Sequence, residues 1–167
     1  MNEQTIYFAK LKADAKIPAK RPEDAGYDIY ACFEEDFILI YPNETKLIPT
    51  AIVSAFSPNY VAIIKERGST GSRGIGQRAG VIDSGYRGEW FIALTNHNNL
   101  PLVISKKYDS HTNIVPQDAA IIYPYDKAIA QCLFLELPKM DVCEMTYEKI
   151  LSIESERGDG KIGSTKK

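Results

Sequence analysis

Residues 36–56 read "DFILIYPNETKLIPTAIVSAF", and this stretch decides the fold class. β-Branched and aromatic residues fill it, which suits a pleated, half-buried surface. Pro42-Asn43 and Pro49 cut it into runs too short for helices but right for strands joined by tight turns. The same grammar extends in both directions. "TIYFAKLK" (5–12) alternates upstream, and "NYVAIIKE" (59–66), "EWFIALTN" (89–96), "LPLVISKK" (100–107), "DAAIIYPY" (118–125) and "KAIAQCLFLEL" (127–137) follow downstream. Proline, glycine and asparagine clusters punctuate them at short intervals, the pattern of a β-sandwich or barrel. No long segment carries apolar residues at helical spacing. The best helical candidate is "TYEKILSI" (146–153), with Thr146 as N-cap. The chain reads as all-β with at most one short helix.

At 167 residues the chain suits one domain with a proper core. A formal net charge of -2 gives no electrostatic case for nucleic-acid binding. No apolar run approaches the roughly 20 residues of a membrane span. The opening "MNEQTIYFAKLK" lacks a signal-peptide core, so a cytoplasmic location is expected. Cys32, Cys132 and Cys143 form no CxxC pair, which predicts buried reduced thiols rather than a disulfide framework. His97 and His111 form no zinc motif either. A divalent metal would have to arrive with its own oxygen ligands, which suits magnesium on phosphates.

Two stretches break the strand rhythm. "KERGSTGSRGIGQRAG" (65–80) gathers glycines, arginines and small hydroxyl residues, and the tail "SIESERGDGKIGSTKK" (152–167) is polar and glycine-rich. Such a tail buries too little surface to order itself. Within them, "RGSTGS" (67–72) and "RGDGKIGST" (157–165) share a pattern suited to gripping phosphate. Arginine offers a fork of donors with permanent charge, glycine lets backbone N–H groups approach an anion, and serine or threonine adds a donor. Neither fits GxxxxGK[ST], and no strand-to-helix transition is expected around them, which disfavours a P-loop.

Between these grips lies "GVIDSGYRGE" (80–89). Asp-Ser-Gly is ordinary turn chemistry, and one reading is a plain hairpin with a half-buried strand tyrosine. The other places Asp83 as a general base that takes a proton from water attacking phosphorus. Arginines and a metal would then offset charge on the phosphate oxygens, with Tyr86 flat against a sugar.

"DAGYDIYA" (24–31), "ERGSTGS" (66–72), "AGVIDSGYRGE" (79–89), "AIAQ" (128–131) and "RGDGKIGST" (157–165) occur in the order of the five motifs of trimeric dUTP diphosphatases, which the chain resembles from residue 24 to 165. The resemblance implies a jelly-roll-like distorted β-barrel over residues 1–151, a flexible tail over 152–167 that closes over bound nucleotide, and a homotrimer with shared sites. It also implies Mg²⁺-dependent cleavage of dUTP to dUMP and pyrophosphate. Asp83 then matches the water-activating aspartate and Tyr86 the deoxyribose-stacking tyrosine. Asp28 matches the aspartate that orders the metal-bound water, while Arg67, Gly68 and Ser69 lie on the phosphates. Gln77 and Val81 match positions at the uracil, and Gln131 the glutamine near the α-phosphate. Arg157, Ile162, Gly163, Ser164 and Thr165 match the closing tail.

The chain also departs from the family. Its second motif reads Arg67-Gly68-Ser69, so the serine contact has either moved by one position or been lost. Asp126-Lys127-Ala128 replaces Gly-Asp-Arg before "IAQ", and Ile162 stands where an aromatic would stack on uracil. Extra residues between 98 and 126 read as an elongated hairpin, with residues 100–125 a candidate surface for a protein partner. A binding or regulatory protein on the same scaffold is the alternative reading. A dCTP deaminase is disfavoured, because Ala93 falls where that enzyme's glutamate would stand and a methyl group shuttles no protons.

Overall fold

Each alternating segment becomes a strand because it can lay one face on a shared core while its backbone groups pair with a neighbour. The computed structural model describes residues 4–107 and 119–159. Strands β1 (Tyr7–Lys10), β2 (Tyr27–Ile29), β3 (Phe37–Ile40), β4 (Thr45–Pro49), β5 (Ile52–Ala55) and β6 (Tyr60–Lys65) come first. After the one-turn helix α1 (Gly68–Gly71) follow β7 (Ile75–Arg78), β8 (Val81–Ile82), β9 (Phe91–Asn96), β10 (Leu102–Ser105), β11 (Ile121–Pro124), β12 (Ala130–Glu136) and the helix α2 (Tyr147–Leu151). The all-β expectation holds, with α1 a second short helix beside the anticipated one. The glycine-rich stretch was expected to lack a strand-to-helix step, yet α1 follows β6 directly. Its turn closes because Thr70 Oγ1 accepts the Arg67 N–H at 3.0 Å and donates to the Arg67 carbonyl at 3.0 Å.

The chain divides into two compact units, residues 1–137 and 138–167. The first holds all the described strands, in sheets ordered β1-β5, β11-β10-β3, β2-β12-β6-β8 and β4-β9-β7. Ile29, Ile40, Ile48, Ile64, Trp90, Ile92, Leu102 and Ile104 fill the core between them, almost without exposure. Phe134 meets Phe8, Tyr27 and Phe56 edge-on at 5.2–6.5 Å between ring centroids, an arrangement that suits aromatic quadrupoles. In the second unit Thr146 caps α2 as anticipated, its Oγ1 accepting the Lys149 N–H at 3.4 Å, and α2 buries no side chain. Among the described residues no helix is long and apolar enough to cross a membrane.

The elongated hairpin expected between residues 98 and 126 is corrected. β10 and β11 run parallel, with Leu102 opposite Ile121 and Ser105 opposite Pro124, whereas a hairpin returns antiparallel. Residues 106–120 are long enough to carry the chain back before β11 begins. β10 in turn pairs antiparallel with β3, so this insertion extends a sheet edge. Part of the candidate partner surface, residues 108–118, lies outside the described residues. The thiols also divide: Cys32 and Cys132 are buried as expected, but Cys143 is exposed. Burial pushes the Cys132 thiol up to about 12, which keeps it protonated.

Glu66 ties the end of β6 to β7. Its carboxylate accepts the Gln77 N–H at 3.0 Å, and that bond, then its own backbone N–H, hold it below the usual glutamate range, with Lys65 and His97 adding to the effect. A depressed carboxyl contributes stability above its unfolded value and loses it as pH falls through its folded value. Between about pH 5 and pH 3, bracketing the ordinary glutamate value of about 4.3, the melting temperature of the native chain should therefore drop more steeply than that of Glu66→Gln. Parallel melting curves across that range would show that Glu66 contributes nothing to acid sensitivity.

Candidate active site

Three strands and a turn bring the first group of side chains together. Asp28 on β2 lies opposite Gln131 on β12, and Gln131 lies opposite Lys65 on β6. The residues that follow β6 turn into α1, which delivers Arg67, Gly68 and Ser69 to the same place. Asp28, Arg67, Gly68, Ser69 and Gln131, together with Lys20, Arg21, Asp24 and Gly26, line a cavity of about 770 Å³.

Charge organises this cavity. Arg67 Nε meets Asp28 Oδ1 at 2.8 Å and its Nη2 meets Oδ2 at 3.3 Å, a two-pronged pairing. Nη1 of the same guanidinium donates to Ser69 Oγ at 3.2 Å and to the Ala128 carbonyl at 3.4 Å. Both partners of the ion pair are about one-third exposed, so a ligand can reach them. Gln131 Nε2 donates to the Glu66 carbonyl at 2.7 Å. Gly26 makes room for that side chain, because a Cβ there would stand 2.4 Å from Gln131 Oε1. The displaced serine of the second motif is thus not lost to the cavity: Ser69 lines it, and Gly68 faces open space.

The second group lies at the opposite edge of the same sheet. β8 pairs with β6 through Ile82–Ala62 and Ile63–Val81, and Asp83 follows β8 in the turn where the Tyr86 N–H bonds back to the Asp83 carbonyl at 3.0 Å. Asp83 is exposed, as are Val81 and Tyr86. The plain hairpin reading of this stretch is corrected: β8 pairs with β6, whereas the next strand, β9, pairs with β4 and β7, so residues 83–88 form a turn between two sheets. The turn is fixed from below. Trp90 is fully buried and donates Nε1 to Ser54 Oγ at 3.1 Å. Glu89 accepts the N–H groups of Thr50 and Ala51 at 3.1 and 2.7 Å, stabilising Ala51 at φ 53°. Arg87 Nη1 donates to the Ser84 carbonyl at 2.6 Å and to that of Ser54 at 3.3 Å. The Tyr86 hydroxyl folds back to the Glu89 carbonyl at 3.0 Å. Gly88 leaves room for the ring in this position, since a Cβ there would stand 2.4 Å from that hydroxyl oxygen. The Gln77 amide lies beside Gly80, at the entry to β8.

Geometry keeps the two groups apart within one chain. β2 and β8 are three strand steps apart, about 14 Å, and Ile82 sits three residues along β6 from the level of Asp28, about 10 Å, so roughly 17 Å separates Ile82 from Asp28. Neither Asp83 nor Tyr86 lines the cavity. Arg157 lies in the second unit, where its N–H donates to Ser155 Oγ at 3.3 Å. Ile162, Gly163, Ser164 and Thr165 lie outside the described residues.

The sequence reading missed Lys20, Arg21 and Asp24 as cavity walls. Arg21 pairs with Asp24 at 2.8 Å, an i,i+3 pairing visible in "RPED" but indistinguishable there from any solvated surface pair. It missed Glu66 as well, whose carbonyl and carboxylate hold Gln131 and Gln77 respectively.

Comparison with known proteins identifies the family of the chain. The sequence model of the dUTPase family matches residues 13–109. A deoxyuridine 5'-triphosphate nucleotidohydrolase of Clostridium tetani is 31% identical over the whole of both chains. One of Neisseria meningitidis serogroup C is 29% identical over 89% of this chain and 87% of its own. A Pol polyprotein of caprine arthritis encephalitis virus is 35% identical over 59% of this chain, a match that takes in 8% of that polyprotein. In fold, the Staphylococcus bacteriophage 80alpha dUTPase bound to dUpNHpp superposes with a TM-score of 0.75 at 20% identity, covering 98% of this chain and 99% of its own. By its sequence match over more than half its length, the chain belongs to the dUTPase family.

Proposed function

We propose that this protein hydrolyses dUTP to dUMP and pyrophosphate, with Asp83 as general base, and that it does so as a homotrimer whose sites combine residues of neighbouring copies. The observation that carries the reading is the placement of phosphate-type groups at one edge of a sheet and of the Asp83-Tyr86 turn, which follows β8, at the opposite edge. A base must stand within hydrogen-bond reach of the proton it takes, and roughly 17 Å is too far for Asp83 to serve a phosphate held at Asp28 and Arg67 of its own chain. A second copy can present this turn to the first copy's cavity. Asp83 is exposed and its turn is anchored by Arg87 and by the buried Trp90, as such a contribution requires.

In this reading Arg67, Ser69, the backbone of Gly68 and Gln131 bind the phosphates, while Gln77 and Val81 lie at the uracil and Tyr86 stacks on deoxyribose. Asp83 takes a proton from water as its oxygen bonds to the α-phosphorus, and the bond to the bridging oxygen breaks to release pyrophosphate. The tail, with Arg157, Ile162, Gly163, Ser164 and Thr165, closes over the nucleotide. The donor set suits Mg²⁺: Asp28 and the Arg21-paired Asp24 are the carboxylates lining the cavity, and the described residues contain no group of three or more His, Cys, Asp or Glu able to hold a metal. Such a site fits an ion that brings phosphate and water oxygens with it. When bound, Mg²⁺ supplies neutralisation of phosphate charge. Asp28, now committed to Arg67, turns toward the ion as Arg67 turns toward the phosphates. A cytoplasmic place of work is part of the same proposal.

Pyrophosphate release from dUTP, dCTP, dTTP and UTP in Mg²⁺ tests the function. Fast release from dUTP alone is the expected result, with silence on UTP assigning the sugar gate to Tyr86. Release from none of the four would favour the binding-protein alternative. Asp83→Asn should lower kcat by about 10²–10⁴-fold while leaving the affinity for dUpNHpp nearly unchanged. An equal loss of affinity would make Asp83 a structural residue. Removing residues 155–167 should lower kcat about a hundredfold or more, because the tail supplies donors to the phosphates; a fully active truncated protein would refute that closure.

A further inference from the structure

Beneath the phosphate-facing arginine lies a buried hydroxyl that the proposed mechanism does not use. Tyr123, on β11, is 3% exposed, and its pairing opposite Ile104 holds it in the core. Its hydroxyl donates to the Ala128 carbonyl at 2.5 Å. That carbonyl also receives the longer bond, 3.4 Å, from Arg67 Nη1. Arg67 and Ser69 act on the hydroxyl directly as well, opposing the upward push that burial gives its pKa. Three cavity elements thus meet at one buried point: the guanidinium, the Ser69 hydroxyl and the backbone just before "IAQ".

We propose that Tyr123 is a positioning residue for Arg67: its hydroxyl occupies the Ala128 carbonyl and so keeps the guanidinium turned into the cavity, available to the phosphates of a bound nucleotide. The inference rests on the dUTP-hydrolysing reading of the same site. A carbonyl buried without a good donor is costly, so it draws in whichever donor is near. With the short Tyr123 bond in place, Arg67 needs only a loose contact there. Without it, Arg67 Nη1 becomes the carbonyl's sole side-chain donor among the described residues, and a nucleotide must break that tightened bond first. The penalty falls alike on the bound state and the transition state, so it appears in affinity and KM rather than in kcat.

Tyr123→Phe keeps the ring and removes only the oxygen. The experiment compares the unsubstituted protein, Tyr123→Phe, Arg67→Lys and the double variant as full chains. It reads dUpNHpp affinity by calorimetry with Mg²⁺, kcat and KM on dUTP, and melting temperature. The expected result is about fivefold weaker binding and higher KM for Tyr123→Phe, the scale of one hydrogen bond, with kcat within about twofold. In the Arg67→Lys background the same change should weaken binding no further, because the effect passes through Arg67. Equal weakening in both backgrounds, or a lower kcat and melting temperature with KM unmoved, would make Tyr123 a packing residue and overturn the inference. Unchanged binding in Tyr123→Phe would overturn it too, while leaving the proposed function intact. Absence of both dUTP turnover and dUpNHpp binding in the unsubstituted protein would overturn both readings.

Discussion

The antiparallel pairing of β6 with β12 is the constraint on which the rest depends. Six residue pairs, from Gln131–Lys65 to Glu136–Tyr60, fix the register of the central sheet. A one-residue slip would turn every side chain to the other face, taking Ile64 and Cys132 out of the core and Gln131 out of the cavity. β12 carries β2 on its far side and β6 carries β8 on its own. The pairing therefore determines both where Asp28 meets Arg67 and how far Asp83 stands from them.

The Asp28–Arg67 pair is better understood as a device for order than as a source of stability. It is part-exposed, and pairs of that kind contribute little once screening and side-chain entropy are counted. Its value lies in holding two opposite charges, one suited to a cation and one to an anion, in the same cavity with defined orientation. Ser69, Ala128 and Tyr123 complete the frame around the guanidinium. Arginine suits this role because its rigid planar fork holds several acceptors in fixed directions, whereas a lysine ammonium is a rotatable point charge.

Much of the fold was legible because strand patterning is local. The segments around Pro42-Asn43 and Pro49 became β3, β4 and β5 as the turn residues indicated, and Thr146 capped the helix it was expected to cap. Pairing partners were not legible, since they join residues far apart in the chain. β10 and β11 look like two arms of a hairpin in the sequence, yet they run parallel, with β10 held against β3. The one-turn helix after β6 was missed because its closure depends on the Thr70 hydroxyl reaching the Arg67 backbone, a bond that glycine-rich composition does not announce.

By itself the sequence determined the all-β character, the turn chemistry of "GVIDSGYRGE" and the residue types suited to phosphate, because each depends on side-chain chemistry and near neighbours. Only the tertiary structure decided which of these meet. It gathered Asp28, Arg67, Ser69 and Gln131 into one cavity and set Asp83 and Tyr86 on the opposite sheet edge. It also placed Tyr123 under Arg67. Those relations arise from long-range strand order and register, which no local stretch of residues encodes alone.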